Sequence, residues 1–429
     1  MQTRGGTAYR PKLDPSTELM TQLINPNRSR LQASRLLFSL LLVAAIAFLT
    51  FLTTSCGSSQ ARTAEQRTFL DLSLNFLGEY QLPKMTFEDT QVGGLSALSY
   101  DRKSDRFLAL SDDRSSLAPA RFYTLKLSID HRDTGEIGIE NVEVENVTFL
   151  KNENGETYTK GSIDPEGIAL SPRGTVFVSS EGVPSQEITP FIREFDRQTG
   201  QQQESLRIPE RYLPNDTTQE EQPPRGIQEN LGFESLTFEP LSLAAASGDP
   251  FRLFTATESA LFQDSLPPDS ENVPRLRLMH YLIGNIAPPT LVAEHLYLLN
   301  PAPKGAIDNG LTELVTLDTE GRFLSLERSY GLFGAGAKIF QVVMSGATDT
   351  SNIASLKGDI SRVDPVKKKL LLDLSELGIY LDNLEGMTLG PRLPDGSQSL
   401  VLVSDNNFSN AQVTQFLLFS LKAGNSQSN

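Results

Sequence analysis

The sequence has one cysteine, Cys56, and no tryptophan among its 429 residues. A single thiol cannot form an intrachain disulfide. Histidine is nearly as scarce, with only His131, His280 and His295. Chemistry that needs a cluster of imidazoles is therefore disfavoured. Positive charge is also short, since 38 basic residues face 53 acidic ones and leave a formal net charge of −15. A nucleic-acid partner calls for a cationic surface that releases counterions, so that class is set aside. The acidic surplus suits a soluble secreted protein or one that handles cations. Several catalytic signatures are missing as well. There is no Gly-x-Ser-x-Gly elbow, no Arg-His-Gly segment, no EF-hand loop, no zinc-ligand spacing and no Gly-Lys-Thr phosphate loop. His131-Arg132-Asp133 shares three letters with a kinase catalytic loop but lacks the downstream Asn and sits in a polar turn. His280 and His295 lie in strand-like runs and read as packed or surface histidines rather than ligands.

What is present begins with a leader. Arg28, Arg30 and Arg35 precede an apolar run from Leu36 to Leu52, broken only by Ser39 and Thr50. Thr53-Thr54-Ser55-Cys56 and Gly57-Ser58-Ser59-Gln60 follow. A basic flank, an apolar stretch and small residues describe an export signal. The cysteine directly after them resembles the lipidation site of a bacterial lipoprotein, with Gly-Ser-Ser as a flexible tether. That pattern favours Leu three places before the cysteine, where Thr53 stands. The alternative is an uncleaved anchor, since the 17-residue run at a rise of ~1.5 Å spans about 25 Å, the short limit for a bilayer. Both readings put the body of the protein outside the cytoplasm, in the periplasm or at the cell surface, because the positive flank stays inside.

The body repeats. Five related segments recur: Gly94-Leu95-Ser96-Ala97-Leu98, Asp164-Pro165-Glu166-Gly167-Ile168, Gly232-Phe233-Glu234-Ser235-Leu236, Gly310-Leu311-Thr312-Glu313-Leu314 and Asn383-Leu384-Glu385-Gly386-Met387. Their starts are 70, 68, 78 and 73 residues apart. Each opens a short alternating apolar run, the period-two mark of a strand. A second apolar run ending in an acid follows each: Phe107 to Asp112, Phe177 to Glu181, Leu253 to Glu258, Phe323 to Glu327 and Leu400 to Asp405. Turn residues such as Ser171-Pro172-Arg173-Gly174 and Pro394-Asp395-Gly396-Ser397 lie between the two runs and predict hairpins. Two more strand-like runs complete each repeat except the fifth, which has only Gln415–Leu421. Phe69–Tyr80 belongs to no repeat. Pairing it with the last blade would close a ring and remove both open sheet edges. The expectation is an all-β, five-bladed propeller of four-stranded sheets. Six blades remain open if 209–230 or 262–274 hides another.

In an antiparallel hairpin the start of the first strand and the end of the second share one sheet edge. Glu166 with Glu181, Glu234 with Glu258 and Glu385 with Asp405 therefore meet. Ser96 with Asp112 and Thr312 with Glu327 are half-acidic versions. Arranged round an axis, these edges predict a mouth lined by eight carboxylates: Glu166, Glu234, Glu385, Asp112, Glu181, Glu258, Glu327 and Asp405. So many like charges require a cation, basic partners or raised pKa values. Hard divalent cations take oxygen ligands, which makes Ca²⁺ the natural candidate. Arg114, Arg328, Arg193 and Lys338 are candidate partners, or holders of an anionic substrate. An acid before a strand also caps backbone N–H groups, so each carboxylate has a purely structural reading too.

These same segments resemble the phytase-like propeller family, also described as esterase-like activity of phytase. The resemblance covers roughly 90–420. It is carried by Asp164-Pro165-Glu166-Gly167, Ser180-Glu181-Gly182, Asn230-Leu231-Gly232-Phe233-Glu234-Ser235-Leu236, Leu326-Glu327-Arg328, Asn383-Leu384-Glu385-Gly386-Met387 and Ser404-Asp405-Asn406-Asn407-Phe408. It implies an extracytoplasmic propeller that hydrolyses phosphate or carboxylic esters, with Ca²⁺ held among acidic side chains as in propeller phytases.

The chain then divides into a cytoplasmic head, export signal and lipidation cysteine (1–56), a tether (57–68), the propeller (69–424) and a disordered tail (425–429). Glu166 and Glu181 are the candidate catalytic carboxylates, and Arg328 would orient an oxyanion. Glu234, Glu258, Glu327, Glu385, Asp405 and Asp112 are the candidate cation ligands. A membrane-anchored monomer acting on a small anionic ester is one expectation. A non-catalytic propeller binding an envelope partner is the other.

Overall fold

The computed structural model describes residues 68–424 apart from 132–134, 216–222, 241–247, 268–272 and 333. The leader, Cys56, part of His131-Arg132-Asp133 and the tail lie outside those residues. The chain enters on β1 (Leu72–Leu82) and a small hairpin of β2 (Thr86–Phe87) and β3 (Thr90–Gln91). Blade 1 is β4 (Leu95–Asp101), β5 (Arg106–Ser111), β6 (Arg121–His131) and β7 (Ile137–Phe149). Blade 2 is β8 (Pro165–Leu170), β9 (Val176–Ser180), β10 (Phe191–Phe195) and β11 (Gln202–Ser205). Blade 3 is β12 (Phe233–Phe238), β13 (Phe251–Thr257), β14 (Arg275–Ile283) and β15 (Thr290–Leu298). Blade 4 is β16 (Ala306–Thr316), β17 (Arg322–Gly331), β18 (Gly334–Val343) and β19 (Lys367–Asp373). Blade 5 is β20 (Asn383–Arg392), β21 (Gln398–Asp405) and β22 (Thr414–Ala423), with β1 as its outermost strand.

This is the five-bladed β-propeller expected. The described parts of 209–230 and 262–274 hold single 3-10 turns, Glu210–Tyr212 and Phe262–Asp264, and no strand. The innermost strands β4, β8, β12, β16 and β20 pack in sequence round the axis, and β20 returns to β4.

The central strands explain the near-continuous apolar runs. Each is buried on both faces, so successive side chains enter different cores. In β5, Phe107 and Ala109 pack with Val401 and Phe416 of blade 5, whereas Leu108 and Leu110 pack with Val176 and Val178 of blade 2. A separate apolar cluster fills each of the five blade interfaces. The hairpin turns close as their residues predicted. Asp395 accepts from the Ser397 amide at 3.0 Å, and Ser171 Oγ and Thr175 Oγ1 bond at 2.6 Å.

Ring closure rests on β1. It pairs antiparallel with β22, from Leu72 opposite Ala423 to Leu82 opposite Thr414. Phe76 and Phe419 meet across that seam, with ring centroids 5.4 Å apart. Phe419 is fully buried between blades 4 and 5. Phe419→Ala should cost about 3–5 kcal/mol by emptying this core and loosening the closing strand. Urea unfolding checks this, and a loss below about 1 kcal/mol would show that closure does not depend on the seam.

Candidate active site

One register irregularity recurs in every blade. The pairing of the two innermost strands shifts between Leu95 and Ala97, Pro165 and Ile168, Phe233 and Ser235, Leu311 and Glu313, and Leu384 and Gly386. Ser96, Glu166, Glu234, Thr312 and Glu385 sit at these bulges. A bulge leaves its extra residue unpaired and re-aims the side chain. Here it turns three glutamates towards the mouth of the ring.

The residue before each bulge has a partner on the next strand: Ser111, Ser180, Thr257, Glu327 and Ser404. The residues that follow those partners are Asp112, Glu181, Glu258, Arg328 and Asp405. Blade 4 thus presents an arginine where the other four blades present an acid. Glu327 is the counterpart of the serines and the threonine, not of the acids.

The result is a cavity of about 640 Å³ at one end of the axis. Asp112, Glu166, Glu181, Glu234, Glu258, Glu385 and Asp405 line it, joined by Asp164, Asp308, Arg114 and Arg328. Seven of the eight expected carboxylates meet there. Glu327 is the exception. β17 runs on to Gly331, so Glu327 lies within the strand and faces blade 3, opposite to Arg328. It accepts from Tyr297 Oη at 2.6 Å and from the Asn300 amide at 3.1 Å, and it pairs with Lys368. Arg193 and Lys338 are also elsewhere. Arg193 donates to Tyr158 Oη at 3.1 Å, and Lys338 pairs with Asp373 at 3.0 Å. His280 stacks on Phe254 at 4.6 Å, and His295 Nδ1 lies 3.1 Å from the Thr348 carbonyl, so neither reaches the mouth.

The repeated glycine in the sequence pattern now has a cause. A Cβ on Gly310 would come 2.2 Å from Glu258 Oε1, and one on Gly232 would come 2.8 Å from Glu181 Cα. Each glycine opens one blade where the acid of the preceding blade passes. The Gly232 amide donates to that same Glu181 carboxylate.

Two arginines offset part of the charge. Arg328 bridges three blades. It donates to Glu258 Oε1 at 2.7 Å and Asn383 Oδ1 at 3.0 Å, pairs with Asp308 at 3.0 Å, and lies 3.7 Å from Glu385. Its Nε is buried without a hydrogen-bond acceptor. Arg114 grips Asp164 with Nε at 2.6 Å and also holds Asn230 at 2.7 Å. These contacts leave a surplus of acid. Burial pushes Glu258 up to about 7 and Glu385 up to about 8, Asp405 adding to the latter while Arg328 opposes both shifts. Asp164 and Asp405 rise to about 6, chiefly through burial. Glu181, Glu234, Glu166 and Asp112 are raised well above the carboxylate range by burial and by neighbouring acids.

Two sets of carboxylate oxygens lie within 4.8 Å of one another: Asp164, Glu166 and Glu181, and then Glu181, Glu234 and Glu258. Glu181 belongs to both. Glu234 is 7% exposed, and Glu181, Glu258 and Glu385 crowd its carboxylate while Arg328 partly offsets them. Asp164 entered the sequence reading only as part of a motif. Asp308 escaped it because it precedes the fourth repeat. Glu313 was in plain view in the motif but unassigned. It lies buried one position past the bulge, where its carboxylate accepts from the backbone N–H groups of Leu314, Leu236 and Met387. It ties the inner strands of blades 3, 4 and 5 together at the axis.

A family model for phytase-like proteins, described as esterase-like activity of phytase, matches residues 90–408. The chain belongs to this family. The matched span includes every acid and arginine that lines the mouth of the phytase-like propeller. Similar solved structures include the Dos1 propeller, at 9% identity over 76% of this chain and 68% of that one, with a TM-score of 0.31. The N-terminal domain of Nup159 is 11% identical over 82% and 96%, with a TM-score of 0.28. The major allergen Mala s 1 of Malassezia sympodialis is 10% identical over 77% and 93%, with a TM-score of 0.36. No curated protein matches the chain.

Proposed function

We propose that the acidic mouth binds Ca²⁺ and hydrolyses a phosphoric or carboxylic ester. The observation that carries this reading is the pair of close-set carboxylate groups that share Glu181, the second completed by Glu234 and Glu258 at 7% exposure or less. Several carboxylates packed side by side in a desolvated mouth are costly to ionise without a cation. Oxygen-only donors of this kind fit a hard cation such as Ca²⁺. Asp164, Glu166, Glu181, Glu234 and Glu258 would hold it. When bound, the cation supplies charge neutralisation for the substrate anion and lowers the pKa of bound water.

The chain's own groups complete the reading. Glu385, at about 8, keeps its proton near neutral pH and can donate to a leaving oxygen. Asp405, at about 6, is ionised there and can accept a proton from water. Asn383 Nδ2 donates to Glu385 at 2.8 Å and reaches Asp405 at 3.5 Å, which orients both. Two acids pushed to different values make an acid and base pair. Arg328 is clamped by Glu258 and Asp308, and its fixed positive charge at the mouth would stabilise an oxyanion. The leader read in the sequence would place this activity outside the cytoplasm at a membrane surface.

The test is a panel of aryl phosphates and carboxylic esters offered to the full-length protein with Ca²⁺ and with a chelator. The expected result is calcium-dependent product release that Glu181→Gln abolishes. Absence of turnover on every ester, with the cation present, would sink hydrolysis and leave a binding propeller.

A further inference from the structure

The mouth is not walled by charge alone. Phe408, Tyr330 and Leu117 also line it. Tyr330 and Leu117 are 48% and 59% exposed, so their apolar surface is open to a ligand. Phe408 is held there at a conformational cost. Asn407 and Phe408 have φ of 46° and 51°, so two successive non-glycine residues occupy the left-handed region. That region disfavours a bulky side chain, and such strain persists only where surrounding contacts over-determine it.

Those contacts are specific. Asn406 Oδ1 accepts from both the Phe408 and the Gly94 amides at 3.0 Å, and Asp405 Oδ1 accepts from the Asn407 amide at 2.7 Å. The ring lies against Gly94, where an added Cβ would come 2.6 Å from Phe408 Cε2 and 2.1 Å from Asp112 Oδ1. Behind the ring, the guanidinium of fully buried Arg121 lies 5.9 Å from its centroid. Phe408 belongs to none of the five apolar cores. The local sequence therefore fixes an aromatic face beside the acids without using it to fill the interior. The cavity of about 640 Å³ also falls in the range of sites for organic ligands, far larger than a cation or a phosphate group needs.

We infer that Phe408 and Tyr330 form an apolar subsite of the mouth, and that its ligand is a monoester bearing an aromatic or other apolar group rather than a compact polyanion. The inference rests on the ester reading for the charged end of the ligand. Its apolar end stands on the wall geometry alone.

Binding of two non-hydrolysable probes to the full-length protein in Ca²⁺ tests it, 1-naphthylphosphonate against methylphosphonate, by isothermal titration. The naphthyl probe should bind at least tenfold more tightly. Phe408→Gly and Tyr330→Ala should each cut that preference at least threefold and leave methylphosphonate affinity unchanged. Glycine adopts the left-handed φ freely, so Phe408→Gly should fold with an equal or higher thermal midpoint. Equal affinity for the two probes, or a preference untouched by both substitutions in folded protein, would overturn the subsite. If neither phosphonate binds, the phosphoester reading fails and uncharged 1-naphthol decides the subsite. Its binding, lost in Phe408→Gly, supports the inference, and its failure to bind, or binding indifferent to that change, refutes it.

Discussion

Arg328→Gln is expected to destabilise the full-length protein by about 3–5 kcal/mol in calcium-free buffer at neutral pH. The side chain is nine-tenths buried and joins Glu258 and Asp308 by ion pairs, with Glu385 at 3.7 Å. A glutamine retains part of the volume but none of the charge. It leaves Glu258 and Glu385 buried beside Asp405 and Glu234 with no guanidinium to offset them. Removing one partner of a buried pair costs more than the pair itself contributes, because the surviving charge remains desolvated. Much of the loss should return with Ca²⁺, which would replace the missing positive charge, and some with acidification, which neutralises the acids. Urea unfolding followed by tyrosine fluorescence reads this directly. A loss below about 1 kcal/mol would show that Arg328 is not what keeps the acids together.

The second large effect concerns pH and calcium together. Without a cation, stability should fall by at least about 3 kcal/mol between pH 5 and pH 8. The sign follows from proton uptake. Asp164 and Asp405 titrate at about 6, Glu258 at about 7 and Glu385 at about 8 in the folded chain. In the unfolded chain such groups titrate near 4. Between those values the folded state holds more protons, so its stability is present in full at low pH and lost as pH rises through the folded values. Calcium competes with those protons. Its apparent affinity should rise at least tenfold from pH 5 to pH 8, and saturating calcium should flatten the pH profile. At 100 times its dissociation constant it should add about 2.7 kcal/mol, or roughly 3–4 °C in thermal midpoint for a domain of this size. Glu181→Gln should abolish the calcium response, since Glu181 belongs to both carboxylate sets. A midpoint that ignores calcium at pH 8 would remove the case for a cation site.

Comparing blade 4 with the others shows why part of the site was hidden. The apolar run from Phe323 ends in Glu327 and then Arg328, and either residue can be aligned with Asp112 or Glu181. The choice depends on which backbone pairs with Leu311, and that is Glu327. One residue of register reverses every side chain on a strand, so the mouth receives a cation instead of an eighth acid. Phe408 was quoted only as the end of a motif. Its role in the wall depends on two left-handed residues, and nothing in Asn-Asn-Phe-Ser announces them.

What the sequence determined by itself was periodic and local. Five linked patterns, turn residues between apolar runs and an unassigned strand before the first repeat specify five blades and a closing strand, because those signals arise from neighbours along the chain. The gathering of acids at one end was equally legible, since every hairpin starts and finishes there. Tertiary structure alone decided which way individual side chains point. The bulges that aim Glu166, Glu234 and Glu385, the inversion at Glu327 and Arg328, the axial tie of Glu313 and the strained ring of Phe408 all depend on strand register and on backbone from adjoining blades. Those contacts run between strands of one hairpin, as for Leu311 opposite Glu327, between neighbouring blades, as for Arg328 and Glu258 at 70 positions apart, and across the ring closure, as for Gly94 and Asn406 at 312.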